Sequence, residues 1–99
     1  QPQFLGYHTH TTPSIDHNLY VHNQYVLQSN YTSGLRIFNL LNLEDAQLNE
    51  EGFFDSEPSH NDANFSGTWS NYPFLPSGTI LLSDIYNGLY ILRPDYLEN

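Results

Sequence analysis

The sequence YVLQSNYTSGLRIF at residues 25–38 recurs without a gap as TILLSDIYNGLYIL at residues 79–92, which lies 54 residues further along the chain. Both copies contain an apolar run, then a serine followed by Asn or Asp, and then the pattern Gly-Leu-x-Ile. Alternating apolar residues on either side of a glycine-containing turn are typical of two antiparallel strands. The repeat therefore predicts two copies of one hairpin-based unit.

The rest of the chain has the pattern of short strands and no strong helix pattern. We expect at most one helical turn within residues 40–51. Eight strands are predicted, at residues 4–8, 19–21, 25–28, 35–38, 52–54, 69–74, 79–83 and 89–92. With the upstream strands added, each copy becomes a unit of three to four antiparallel strands, as in a β-propeller blade. The predicted fold is all-β, with about two four-stranded antiparallel blades.

Two blades leave a propeller incomplete. The blade-like repeats cover about residues 15–55 and 67–94, residues 4–10 are expected to be a strand of a preceding blade, and 55–67 a polar loop. A propeller needs at least four blades of roughly 40–45 residues, and open edges invite association. Residues 1–99 are therefore expected to be a fragment of a larger propeller or to assemble with other chains. A small independent β-sandwich is the alternative.

Composition excludes several classes of function. Eleven acidic residues against two arginines give a net charge of −9, too few cations to neutralise a run of nucleic-acid phosphates or to bind an anionic membrane. There is no cysteine for a disulfide or thiolate site, and no stretch approaches the 18 or so apolar residues of a spanning helix. The 15% aromatic content favours a folded β protein over disorder. The lack of lysine and the abundance of Asn, Ser, Thr and Tyr indicate a secreted protein.

Several linked motifs, in order, carry a family resemblance. They are FLGYH at 4–8, IDHNLYV at 15–21, SNYTSGLRI at 29–37, GFFD at 52–55, FSGTWSNYPF at 65–74 and GLYILRP at 88–94. The chain resembles the C-terminal portion of choice-of-anchor B family proteins, which carry LVIVD-type repeats. The resemblance implies a β-propeller that is exported and attached to the cell surface, and full-length members are several times longer. It implies no molecular activity, and Ser66 stands where relatives often have Asn.

The histidines are candidate metal ligands. His8 and His10 would project to one face of a strand, and His17 follows Asp16; such a set suits zinc or copper. The family resemblance implies a His beside Asn or Asp in each blade, here His17-Asn18, directed toward the propeller axis. A histidine ring there could bind a metal. The alternative is that His17 hydrogen-bonds the backbone of the neighbouring blade.

The polar loop and two sequons are the other candidate sites. Asp55, Glu57, Asn61 and Asp62 offer oxygen ligands of the kind that calcium prefers, without EF-hand spacing; the alternative is a solvated loop with Asx turns. Asn30-Tyr31-Thr32 and Asn64-Phe65-Ser66 are N-glycosylation sequons. No nucleophile elbow or glycine-rich phosphate loop is present, so we expect no enzymatic activity.

Three functional hypotheses follow. The first is an extracellular or cell-surface, non-enzymatic structural, adhesion or binding module that is part of a larger propeller or assembly. Its partners would be the remainder of the parent propeller or other protein chains, with glycans as further partners. The second is a metal-binding or enzymatic propeller with an axial histidine cluster, and the third is a subunit of an extracellular fibre.

Overall fold

The computed structural model describes residues 2–9 and 11–95, which form seven strands and one 3-10 turn. The strands are β1 (Asn18–His22), β2 (Tyr25–Ser29), β3 (Leu35–Asn39), β4 (Asn49–Phe54), β5 (Thr68–Tyr72), β6 (Ile80–Asp84) and β7 (Gly88–Leu92). The 3-10 turn spans Leu43–Asp45, within the segment that was predicted to contain a single helical turn. In the described part of the chain, no helix combines the length and the apolar character needed to cross a membrane.

The strands form two antiparallel sheets, so the all-β prediction is confirmed. The first sheet has the order β1-β2-β3-β4 and the second sheet the order β5-β6-β7. Each strand pairs with the strand that follows it in its sheet, as in a meander. The arrangement is compatible with propeller blades, although the described second sheet has three strands instead of the expected four, because only residues 93–95 follow β7 in the described chain.

The sequence repeat has the same strand register in both sheets. Ser29 opposes Leu35 in the β2–β3 hairpin, and Ser83 opposes Leu89, at the equivalent positions, in the β6–β7 hairpin. Gly34, just before β3, and Gly88, the first residue of β7, are at equivalent positions, and both have positive φ. The unit predicted from residues 25–38 and 79–92 is therefore one structural unit, present twice.

The hydrophobic core lies between the two sheets. Its fully packed members are Leu27, Leu35 and Ile37 from the first sheet and Ile80 and Leu82 from the second. Alternate residues of a strand point to opposite faces of its sheet, so this core takes one face of each sheet. Each sheet therefore has a second face, directed away from the core.

Two segments differ from the sequence-based expectations. Residues 4–9 form no strand, although a strand of a preceding blade was expected at 4–10; His10 lies outside the described residues. No strand edge is paired with residues 4–9, and the His8 ring instead packs edge-on against Phe38, with ring centroids 5.0 Å apart. The strand expected at 52–54 begins earlier, at Asn49, because the segment before it pairs with the end of β3 across a bulge.

Candidate functional site

The first strands of the two sheets meet at His17. Its Nδ1 lies 2.7 Å from the carbonyl oxygen of Trp69, and because a carbonyl only accepts, Nδ1 carries the proton and donates it. The imidazole stacks on the Trp69 ring at a centroid distance of 5.4 Å and also contacts the Tyr31 ring at 4.8 Å. Of the two roles considered for His17, the structure shows the hydrogen bond to the neighbouring sheet.

Equivalent positions of the two sheets contact each other at this junction. The pairing of Tyr20 with Leu27 and of Tyr72 with Leu81 makes these two tyrosines equivalent. It likewise makes Asn18 equivalent to Ser70, and Asn18 Nδ2 donates to Ser70 Oγ at 3.3 Å. When two copies of a structural unit are related by rotation, their equivalent residues contact each other close to the rotation axis. β1 and β5 therefore contact each other through equivalent positions.

Buried polar groups join the sheets just outside this junction. Tyr31 and Thr68 exchange two backbone hydrogen bonds, at 2.8 and 2.9 Å. Asn71 on β5 donates from Nδ2 to the carbonyl of Leu27 at 3.1 Å and to Ser29 Oγ at 2.8 Å. A buried polar group is costly unless it is paired, so these bonds hold the sheets in one relative position.

A second buried network surrounds Asp84. Ser56 Oγ donates to Asp84 Oδ2, and since its single proton is used there, Thr68 Oγ1 donates to Ser56 Oγ at 2.9 Å. Asp84 Oδ1 accepts the backbone N–H groups of Tyr86 and Asn87. The carboxylate thus holds the β6–β7 turn and ties it to the segment after β4. The sequence analysis missed this role, although Asn or Asp at this position was part of the repeat.

His8 and His17, two of the predicted metal ligands, contact different aromatic rings in the structure. His8 packs on Phe38 and His17 on Trp69, Asp16 is exposed, and His10 lies outside the described residues. Within residues 2–9 and 11–95, no group of three or more His, Asp and Glu side chains is placed to hold a metal ion. An axial ring that also needs histidines from other blades stays a prediction.

The carboxylates of the polar loop bond within the loop. Asp55 Oδ1 accepts the backbone N–H of Glu57 at 2.9 Å, an Asx turn. Glu57 Oε2 accepts from Ser66 Oγ at 2.7 Å and lies 2.9 Å from His60 Nε2. Asp62 Oδ2 is 3.4 Å from His60 Nδ1, and Asn61 is exposed. The Asx turn at Asp55 is of the kind expected for the alternative, a solvated loop with Asx turns, and calcium binding here stays a prediction.

The two sequons differ in accessibility. Asn30 is fully buried, and its Nδ2 donates to Gln28 Oε1 at 3.3 Å, so the folded chain has no space for a glycan on that nitrogen. Asn64 is exposed, and its Oδ1 accepts from the backbone N–H of Ser66 at 3.1 Å. Asn64 is therefore the sequon whose acceptor nitrogen can be reached in this fold.

An aromatic cluster lies beside the far ends of β1 and β5. The Phe74 ring meets Tyr20, His22 and Tyr72 edge-on, with centroid distances of 5.4, 5.2 and 5.5 Å. Phe74 and Tyr72 are exposed to solvent. Exposed aromatic rings of this kind are suited to contact with a partner protein or a sugar ring.

Comparisons of the chain with protein-family models, with curated proteins and with solved structures gave no match. The resemblance to choice-of-anchor B proteins therefore stays a prediction.

Proposed function

We propose that the chain forms two neighbouring blades of a larger β-propeller and acts as a non-enzymatic structural or binding module at the cell surface or outside the cell. The proposal is supported by the contact of β1 with β5, as expected for the innermost strands of neighbouring blades, and by the repeated hairpin. The family resemblance and the composition support the extracellular location. The exposed sequon at Asn64 and the aromatic cluster around Phe74 are compatible with that location.

One observation carries the proposal: three apolar positions are buried in the first sheet, and their equivalents in the second sheet are much less buried. In the first sheet, Leu27, Leu35 and Ile37 are 0, 1 and 7% exposed because the second sheet covers them. Their repeat equivalents are Leu81, Leu89 and Ile91, which we call the outer face of the second sheet.

The outer face is largely exposed, with Leu81 half-buried. Leu89 and Ile91 are 63 and 72% exposed, and the strand pairings of Leu81 with Ile91 and of Ser83 with Leu89 place all three residues on the face away from Leu82. A contiguous exposed apolar patch marks a surface that binds another element. The element that covers the same surface in the first sheet is a further sheet, with Ile80 and Leu82 as its contacts.

The proposal is tested with the triple variant L81K/L89K/I91K. The unmodified chain is expected to bind an apolar fluorescent dye and to associate as its concentration rises, because the outer face is uncovered. The triple variant should lose most of the dye signal and give a native mass near the chain's own 11.4 kDa. Leu41→Lys is the matched control, since Leu41 is 72% exposed but lies in the β3–β4 connection.

An unmodified chain that stays monomeric, unfolds cooperatively and binds no dye would overturn the proposal in favour of a self-sufficient sandwich. Dye binding lost equally in the Leu41→Lys control would show that the signal does not come from the outer face. The extracellular location has its own test, the intact mass of the protein from its natural source. Mass increments of hexose size that disappear in Asn64→Gln would support the location, and an unmodified mass would leave it without that support.

A further inference from the structure

The turn of the second hairpin contains the single Asn-Gly pair of the sequence, Asn87-Gly88. Both residues are exposed, and a Cβ on Gly88 would meet no atom within 4 Å. Glycine has no side chain that hinders the approach of another group to its backbone nitrogen. The amide group of Asn87 is therefore next to a backbone nitrogen that it can reach with little steric hindrance.

An Asn-Gly pair in an exposed turn can lose the side-chain amide without an enzyme. The backbone nitrogen of Gly88 attacks Cγ of Asn87, so that a new C–N bond forms and the Cγ–Nδ2 bond breaks. The proton of the attacking nitrogen passes through water to Nδ2, which leaves as ammonia. Water then opens the cyclic imide at one of its two C–N bonds and leaves either an aspartate or an isoaspartate at position 87. Water is the only co-reactant, and no oxidant or reductant is needed.

The amide of Asn87 links the turn to the segment that follows β4. Its Nδ2 donates to the carbonyl oxygen of Ser56 at 3.3 Å. The backbone N–H of Asn87 donates to Asp84 Oδ1 at 2.9 Å, and Ser56 Oγ donates to the other oxygen of the same carboxylate. Loss of Nδ2 would leave a carboxylate facing the Ser56 carbonyl, and both of these groups only accept hydrogen bonds. The reaction would therefore break this link between the turn and the first sheet.

The equivalent position of the first hairpin cannot react in this way. Ser33 precedes Gly34 there, and its hydroxyl offers no amide carbon to a neighbouring nitrogen. Ser33 is also fully buried, and it donates to the carbonyl oxygen of Asn30 at 3.2 Å. Of the two equivalent turns, only the exposed one contains the reactive pair.

We propose that Asn87 is a site of spontaneous modification, at which loss of the amide releases the β6–β7 turn from the segment after β4. The inference is independent of the proposed function, because it uses only contacts within the described chain. Gly88 opposes Asp84 in the last pair of the β6–β7 ladder. The ends of strands open more readily than their centres, so the attacking nitrogen becomes available while the rest of the sheet stays paired. Either product adds one negative charge to the net charge of −9.

The site is tested by incubating the folded chain at mildly basic pH and following each asparagine by peptide mass spectrometry. The fragmentation method must separate aspartate from isoaspartate, and either product raises the peptide mass by about 1 Da. Asn87 is expected to react roughly tenfold faster than Asn61 and Asn64, which are also exposed but precede larger residues. Asn87→Gln is the matched control, because glutamine would have to form a larger ring, and position 87 should then react far more slowly. A rate at Asn87 no higher than the rates at Asn61 and Asn64 would overturn the proposal.

The effect of the modification is tested with Asn87→Asp, which carries the side chain of one product. Its urea unfolding midpoint should fall below that of the unmodified chain, because the donor to Ser56 is lost and a negative charge is added close to Asp84. Asn61→Asp makes the same change from amide to acid at an exposed position of the polar loop and should leave the midpoint nearly unchanged. Equal midpoints for the two variants would contradict the proposed release of the turn.

Discussion

The first and second sheets contain the same hairpin in the same register, but their surroundings differ. Leu27 in the first sheet is fully buried beneath the second sheet, whereas its equivalent Leu81 is only half-buried and its face neighbours Leu89 and Ile91 are 63 and 72% exposed. The sequence patterns are nearly identical, so the patterns do not account for the difference in burial. An apolar strand face therefore shows where a partner sheet belongs, and only the packing shows whether the partner is present.

The polar position at the start of each hairpin turn gives a second comparison. Asp84 accepts hydrogen bonds from Ser56 and from two backbone N–H groups. Its equivalent, Asn30, is fully buried, and its Oδ1 has no partner among the described residues. The chain segment that follows β4 supplies Ser56 to the second hairpin. The same position thus has a complete set of partners only where a preceding sheet provides one.

The largest expected difference between the sheets concerns their central leucines. Leu27→Ala should lower the free energy of unfolding by about 2–5 kcal/mol, because it removes a fully buried side chain and leaves a cavity. Leu81→Ala should cost less than about 1 kcal/mol, since Leu81 is only partly buried. Urea unfolding followed by tryptophan fluorescence measures both. Equal losses would mean that the outer face is covered in solution.

The two turn glycines should differ by a smaller amount. A Cβ on Gly34 would clash with the carbonyl oxygen of Phe54, whereas a Cβ on Gly88 would meet nothing within 4 Å. Both glycines have positive φ, so alanine costs about 1–2 kcal/mol of backbone strain at either position. Gly34→Ala should lose about 1–3 kcal/mol more because β4 or the turn must move. The measurement is the same urea unfolding, and identical losses would show that β4 is not held against this turn.

The smallest expected effect is at the junction of the sheets. His17→Phe retains a ring that can stack on Trp69 but removes the Nδ1–H donor to its carbonyl. The free energy of unfolding should fall by about 0.5–1.5 kcal/mol, the usual net contribution of one hydrogen bond. His22→Phe is the matched control, because His22 contacts Phe74 through its ring, and it should change stability by less than about 0.5 kcal/mol. A larger loss in the control would show that the His17 bond does not hold the junction.

Much of the strand pattern could be predicted, because alternation and turn residues act over a few neighbouring positions. The hairpins of residues 25–38 and 79–92 are confirmed, and the glycine-containing turns occur where they were expected. The strand at 4–10 was predicted from the same kind of pattern and is absent from the described residues 4–9. A strand needs an edge to pair with, and local sequence does not show which edges are available.

The candidate site was less predictable for the same reason. The grouping of His17 with the other histidines was based on residue type, whereas its contact with Trp69 joins residues 52 positions apart. The burial of Asn30 could not be seen in its sequon, because the sequon pattern is the same in a core and on a surface. The repeat did signal the importance of Asp84, through the shared Asn or Asp, but not that Ser56 would be its partner.

By itself, the sequence determined the all-β class, the repeated hairpin and its register, because these depend on side-chain alternation and on glycine at the turns. Only the tertiary structure decided that β1 meets β5, that Leu27 is fully buried while Leu81 is only half-buried, and that Asp84 is bonded by Ser56. Those outcomes depend on contacts between residues far apart in the chain. Whether such contacts form is determined by the packing of whole sheets and by the burial of their polar groups.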